Sequence, residues 1–340
     1  MSGIAAVLAV VFGLLLFAGC SAPKTASTPP PGKPLVWPAP PDPPRLTYLR
    51  SITRPADLGI KTSGFKRFSQ WLTGSQTGNE TFVKPFGISF DENDNLCLTD
   101  TGANVVCYYD QGKKKWRRWE KLGNFRFIAP VAVAKRGESF FVADSGLGNV
   151  LAFDGNGKLW RQITNHLQRP AGLAFLNNQL FVADSQRHCI VVFDLQGLYK
   201  SEFGRRGNGQ GEFNFPTHLA ADRESHLLVT DSLNSRVQIF NAQGKFLGLL
   251  GALGDTPGHF SRPKGLAADS SGHVYVIDAI FDNIQVFDHA GQLLLNLGAA
   301  GSEPGEFWLP NGIAINHSNE IFVTDSYNHR IQVFKYIGSP

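Results

Sequence analysis

An all-β fold made from six copies of one four-stranded unit is what this sequence predicts, and three observations carry the expectation. A phrase recurs six times: "LTDTGANVVCYYD", "VADSGLGNVLAFD", "VADSQRHCIVVFD", "VTDSLNSRVQIFN", "VIDAIFDNIQVFD" and "VTDSYNHRIQVFK". Its aspartates fall at 100, 144, 184, 231, 278 and 325, in steps of 44, 40, 47, 47 and 47. A proline-led apolar segment precedes each phrase: "KPFGISF", "APVAVAK", "RPAGLAF", "FPTHLAA", "RPKGLAA" and "LPNGIAI". The composition, with 36 glycines, 11% aromatic and 18% charged residues, favours a turn-rich β globule over a disordered chain.

Each unit reads as four short strands. The proline-led segment is the first, and the stretch ending in the aspartate is the second. The run after the Asn/Arg turn is the third, and a glycine turn leads to the fourth, as in "AQGKFLGLLG" or "HAGQLLLNLG". A period of forty-odd residues with four strands is that of a β-propeller blade. The pattern P-x-G-(I/L)-A, then V-x-D-S-x-N-x-R-(I/V)-Q-(V/I)-F, then G resembles the NHL repeat over residues 82 to 336, most closely in the last three units. The resemblance implies a six-bladed β-propeller of NHL type over 45–340. Such repeats encode packing, because one sheet cannot bury both its faces alone. Asp231, Arg236, Asp325 and Arg330 are therefore expected to pair within the structure and not to be catalytic.

The sixth unit supplies three strands, and an open sheet edge invites aggregation. "RLTYLRSI", residues 45–52, patterns like the fourth strands and is expected to complete the last blade. Residues 53–81 do not fit a blade. Phe65, Phe68, Trp71 and Leu72 in "GFKRFSQWLTG" are spaced for a short amphipathic helix, expected to cap the propeller surface as an insertion.

Ahead of the repeats, an apolar run from Ile4 to Ala18 is too short to span a bilayer comfortably and leads to "LFAGC". This resembles the lipobox of bacterial lipoproteins. It implies a signal peptide over 1–19, lipid attachment at Cys20 and, with Ser21 following, an outer-membrane destination. Residues 23 to 44 hold ten of the twenty prolines, so 20–44 is expected to be a lipidated, semi-rigid spacer. The excess of 32 basic over 28 acidic residues is mild and demands no nucleic-acid partner. An export signal argues against one as well.

Because blade strands alternate direction, the starts of first strands, the turns between second and third strands and the links between blades share one rim. That rim carries "SQRHC", "SLNSR", "SYNHR" and "GDTPGH" and is the expected binding surface, with Asn234, Asn328 and His329 as candidate contacts. His218 stands in the slot filled by Gly87, Gly172, Gly265, Gly312 and Ala132 in the other units. With Lys264 and Asn311 it is a candidate ligand-binding residue at the channel mouth. Peptidyl-hydroxyglycine lyases, which are built on similar propellers, place zinc-binding histidines just after the leading prolines. Phe86, Val131, Ala171, Thr217, Lys264 and Asn311 occupy those positions here and cannot supply three imidazoles. Sugar-lactonase-like propellers need a Glu/Asn/Asp cage for a hard cation, of which only Asn311 resembles a part. No nucleophile-elbow, phosphate-loop or HExxH pattern occurs.

"KKKWRRWEK" places Lys113, Lys115, Trp116, Arg117, Arg118 and Trp119 on the expected outer strand of the first blade, a candidate surface for an anionic polymer or acidic protein. Cys97 and Cys107, on consecutive strands, are a candidate cross-strand disulfide if a tight hairpin brings them face to face. The functional expectation is a monomeric, lipid-anchored envelope protein without a cofactor. It would recognise a protein or polymer through its loop-bearing rim. The alternative is a metal-dependent hydrolase or lyase with its site at the channel mouth.

Overall fold

The computed structural model describes residues 34–60 and 81–338. Six sheets are arranged as blades around an axis. Their inner strands are Pro85–Phe90, Pro130–Arg136, Pro170–Leu176, Pro216–Ala221, Pro263–Ala268 and Pro310–Ile315, and each touches the next in a closed circle. Among the described residues the only helical elements are three short 3-10 turns, Pro55–Leu58, Ser232–Asn234 and Ser326–Asn328.

Burial explains why the middle strands lack polar alternation. Leu96–Asp100, Gln179–Asp184 and Asn283–Phe287 are buried along nearly their whole length, because a neighbouring blade covers each face. Outer strands alternate instead: Leu159–Ile163 and Phe246–Leu250 turn every second residue towards solvent. The apolar side chains gather in six separate wedges. One, for example, packs Phe181, Phe213, Leu227 and Phe240 between the third and fourth blades. Another packs Tyr275, Ile284, Phe307 and Phe334 between the fifth and sixth.

The glycine slot of the inner strands is explained by close approach. A Cβ on Gly172 would lie 2.4 Å from the Thr217 carbonyl oxygen, and one on Gly312 would lie 2.3 Å from that of Phe86. Only glycine lets neighbouring inner strands come that near. The second contact joins the last blade to the first. Thr324 Oγ1 and Ser326 Oγ reinforce it by donating to the carbonyls of Phe86 and Pro85, each at 2.7 Å.

The outer strand of the last blade is Leu46–Ile52, paired antiparallel with Arg330–Tyr336. Leu46 and Ile52 are almost wholly buried at its two ends. The proline-rich stretch departs from the expected spacer at its C-terminal end. Val36–Trp37 pairs with Thr47 and Leu46 as a fifth strand, and the Trp37 ring packs edge-on to Phe334 at 5.8 Å. The physical reason is that a tryptophan within reach of an exposed sheet edge gains by covering it. The expected signal peptide, Cys20 and the helix spanning Phe65 to Leu72 lie outside the described residues.

Candidate functional site

The six recurring aspartates are structural. Asp100 accepts the backbone N–H groups of Val83, Lys84, Gly102 and Ala103, so one carboxylate ties the link entering the inner strand to the turn after the second strand. Asp144 and Asp184 do the same in their blades. In the sixth blade the rest of the motif joins in. Asp325 accepts from Arg330 Nε at 2.7 Å, Asn328 Nδ2 at 2.9 Å and Gln332 Nε2 at 3.0 Å. Arg330 then donates to the carbonyls of Ser302, Glu303 and Glu306, fastening the incoming loop.

This network settles two of the candidate contacts. Asn234 Nδ2 donates to Gly207 O and Asp231, and Asn328 Nδ2 donates to Gly301 O and Asp325. Both amides hold loops and are not directed at a ligand. His329 is exposed on the rim with its Nδ1 against Val83 O, in the left-handed backbone region at φ 55°.

His218, Lys264 and Asn311 do come together on the axis. His218 Nε2 lies 3.2 Å from Asn311 Oδ1, so a fourth-blade residue meets a sixth-blade residue across the channel. The contact requires the Nε2–H tautomer and leaves Nδ1 buried without a partner, as is Thr217 Oγ1 beside it. Burial, and then the charge of Lys264, bring the His218 imidazole down to about 3, so it is neutral. Burial, with Arg262 and Arg169 nearby, also lowers Lys264.

On one side of this crossing the axis widens into a cavity of about 730 Å³ that opens at the turns between first and second strands, opposite the loop-bearing rim. Its walls mix apolar Ile88, Leu173, Leu219, Leu266 and Ile313 with polar Ser89, Asp91, Lys135 and Asp269. Glu92, Arg136, Arg223 and His317 stand at its mouth. His218 presents an edge to its inner end. On the other side lies the rim where the inner strands begin, with Lys84, Arg169 and Arg262 each immediately before a leading proline. Lys84 Nζ is engaged, 3.1 Å from the Tyr327 hydroxyl and over its ring at 4.4 Å. Among the described residues, no ion pair or side-chain hydrogen bond involves Arg169, Arg262 or Lys264 Nζ. No cluster of three or more His, Cys, Asp or Glu suited to a metal occurs there. One neutral imidazole beside three cations is a donor set that repels a divalent cation, so the residues do not fit the metal-dependent alternative.

The loop-bearing rim also leaves large apolar side chains uncovered. Val83, Ile128, Phe215, Leu233, Leu253, Ile280, Trp308 and Tyr327 are all exposed there, Leu253 at 75% and Trp308 at 54%. Of the exposed large apolar residues described, only Leu198 and Ile337 sit at the turns of the opposite rim.

Two further candidates are corrected. In the strand register Cys97 faces Tyr108, while Cys107 faces Leu98. The one-residue offset puts the thiols on opposite sheet faces, in different apolar wedges, and no disulfide joins them. The aromatic–cationic run is likewise split. Trp116 packs towards Phe82 on one face, and Trp119 towards Phe140 and Phe153 on the other. Lys113 pairs with Asp110 and Arg118 with Glu120. Lys115 is exposed and Arg117 half-buried against the Gly155 carbonyl. A continuous surface of tryptophans and free cations is absent.

Comparison with known proteins agrees with this architecture. The NHL repeat model matches residues 307–334, and a family described as a 6-bladed beta-propeller matches residues 164–227. The chain is a six-bladed β-propeller with an NHL repeat. Similar solved structures include virginiamycin B lyase from Staphylococcus aureus, at 13% identity and TM-score 0.55, covering 76% of this chain and 97% of that one. An auxiliary nutrient binding protein from Bacteroides thetaiotaomicron is similar at 12% identity and TM-score 0.60, covering 75% and 69%. At these identities the likeness establishes the fold of the propeller alone.

Proposed function

We propose that this propeller is a recognition scaffold that binds a protein or polymer ligand through its loop-bearing rim, held at the outer membrane by lipid on Cys20. The observation carrying the reading is the uneven distribution of uncovered apolar side chains. They crowd the rim that also carries cations without acidic partners, while the opposite rim is nearly free of them. A soluble surface rarely exposes such a set unless something covers it. The relative described as a nutrient binding protein is consistent with a binding role for this fold. The propeller suits the task because a rigid ring presents loops from distant sequence positions without moving.

Affinity capture from a cell-envelope extract tests the reading, with the folded body from residue 34 as bait. The wild-type bait should retain a partner that the double variant Trp308→Ala, Ile280→Asp loses at unchanged thermal stability. Equal capture by both would reject the rim. Radiolabelled fatty acid incorporation, lost in Cys20→Ala, tests the anchor separately.

A further inference from the structure

We propose that the loop-bearing rim carries a platform for a polysaccharide of gluco-configured, β-linked pyranose rings, formed by the side chains of Trp308 and Tyr327 with Lys84 at its edge. The platform presupposes the rim as the recognition face and gives the polymer ligand its chemistry.

Contacts across the seam between the last blade and the first join the three residues. The Trp308 and Tyr327 rings lie 5.5 Å apart, inclined at 41°. Lys84 Nζ lies 4.4 Å from the centre of the Tyr327 ring and 3.1 Å from its hydroxyl. The backbone beneath is fixed, because Trp308 N–H donates to Asp325 Oδ1 at 2.8 Å and Tyr327 N–H to the Trp308 carbonyl at 3.2 Å. Both residues are nonetheless open, Trp308 at 54% and Tyr327 at 39% exposure. Aromatic side chains on a backbone already ordered give up little freedom on binding. The repeat shows that packing does not demand them. Trp308 stands two residues before its leading proline, and Tyr327 two after its aspartate. At these positions the first blade has Val83 and Gly102, the third Gln168 and Gln186, and the fifth Ser261 and Ile280. No other blade has an aromatic residue at either position.

The face of an aromatic ring carries negative charge density. In a β-linked, gluco-configured pyranose the ring substituents are equatorial. Its C–H bonds, polarised by the neighbouring oxygens, therefore gather on the two faces, and its hydroxyls on the edge. Such a face can cover the Trp308 or Tyr327 ring while the edge keeps its hydrogen bonds. An ammonium has three N–H donors, and Lys84 uses one on the Tyr327 hydroxyl, so the others can meet hydroxyls of the sugar edge. Successive sugars in a chain are turned relative to one another, and two inclined rings can take two of them. Binding should therefore strengthen with chain length.

The protein is titrated by calorimetry with cellohexaose, the β-1,4-linked N-acetylglucosamine hexamer, the β-1,4-linked galactose hexamer, glucose and decaproline. At least one of the first two should bind at least tenfold more tightly than glucose and than the galactose hexamer, whose axial oxygens interrupt a C–H face. Trp308→Ala and Tyr327→Ala should each weaken that binding at least tenfold, and Lys84→Met several-fold. Trp308→Phe should retain most of the affinity. Trp160→Ala, which removes an exposed tryptophan from the outer strand of the second blade, should leave it unchanged. The Trp308 variants should melt with the wild type, because the side chain is exposed, so their losses report binding and not folding. Wild-type affinity in Trp308→Ala, equal binding of the galactose hexamer, or no binding of either gluco-configured hexamer would each overturn the platform. Binding of decaproline in place of both would overturn it as well and assign the rings to a protein segment. If envelope capture is lost in Trp308→Ala, Ile280→Asp while neither hexamer binds, the rim reading survives and the glycan platform fails.

Discussion

Replacing Asp325 by alanine removes the centre of the network that fastens the loop entering the last blade. The side chain is fully buried and accepts from the Trp308 N–H, Asn328, Arg330 and Gln332. Arg330 is 2% exposed and cannot give up its proton, so its charge would remain buried without the opposing carboxylate. Breaking a buried pair in this way costs about 3–5 kcal/mol. At roughly 2 °C per kcal/mol for a folded body of this size, the melting temperature should fall by about 6–10 °C.

Arg330→Met leaves the opposite partner. Burial already holds the Asp325 carboxyl above its ordinary value despite Arg330, so the orphaned group can take up a proton. A carboxyl whose folded pKa is raised favours folding below its unfolded value and loses that contribution as pH rises through the folded one. Arg330→Met should therefore recover part of its deficit on acidification, whereas Asp325→Ala should not. The double variant should cost less than the sum of the two. The fourth blade is an internal control: Arg236, with 12% of its side chain exposed, meets Asp231 at 2.9 Å, so Asp231→Ala should cost less. Urea unfolding followed by tryptophan fluorescence measures all four. A loss below about 1 kcal/mol in Asp325→Ala, or a larger loss in Asp231→Ala, would refute the reasoning.

Leu46→Ala and Ile52→Ala, at buried ends of the closing strand, should each cost about 2–5 kcal/mol, while Leu49→Ala on its exposed face stays within about 0.5, all by urea titration. Gly172→Ala should cost about 1–3 kcal/mol because its Cβ meets backbone atoms at 2.4 and 3.0 Å. Gly248→Ala, with nothing within 4 Å, should gain about 0.5–1 kcal/mol in the same assay. The His218 imidazole, at about 3 when folded against 6.5 when free, contributes stability above pH 6.5 that is lost as pH falls towards 3. Its NMR resonances should stay fixed from pH 8 to 5, and His218→Gln should flatten the acid limb of the stability profile. An imidazole titrating near 6.5 would show that the axis is open to water at that level.

The architecture was legible because a repeat displays each packing requirement several times, and the glycine at positions such as Gly172 recurs in four of the six blades for one steric reason. What the sequence reading missed depended on register or on partners distant in sequence. Cys97 and Cys107 look like partners on adjacent strands, but a shift of one residue sends them to opposite faces. Trp116 and Trp119 stand three apart, a spacing that on a strand separates faces. Asn234 and Asn328 read as loop contacts because their acceptors, Gly207 O and Gly301 O, are 27 residues away. A signal for that pairing existed. The units with N-x-R-x-Q, in the fourth and sixth blades, are also entered by long glycine loops, "GRRGNGQGEF" and "GAAGSEPGEF".

The division of labour on the rim follows from this accounting. Its conspicuous polar residues, the aspartates with their Asn, Arg and Gln partners, are consumed in holding loops, so they cannot also supply recognition without unfastening the scaffold. What the scaffold leaves unspent on that face is apolar side chains and a few cations without acids. The apolar side chains expose hydrocarbon to water, which covering them would relieve. At the opposite end the cavity is recessed and reaches His218, whose neutral ring can meet Asn311 without bringing a charge onto the axis. Binding chemistry is therefore best sought where free energy remains to be gained by covering the surface, and that is the loop-bearing rim around Ile280 and Trp308.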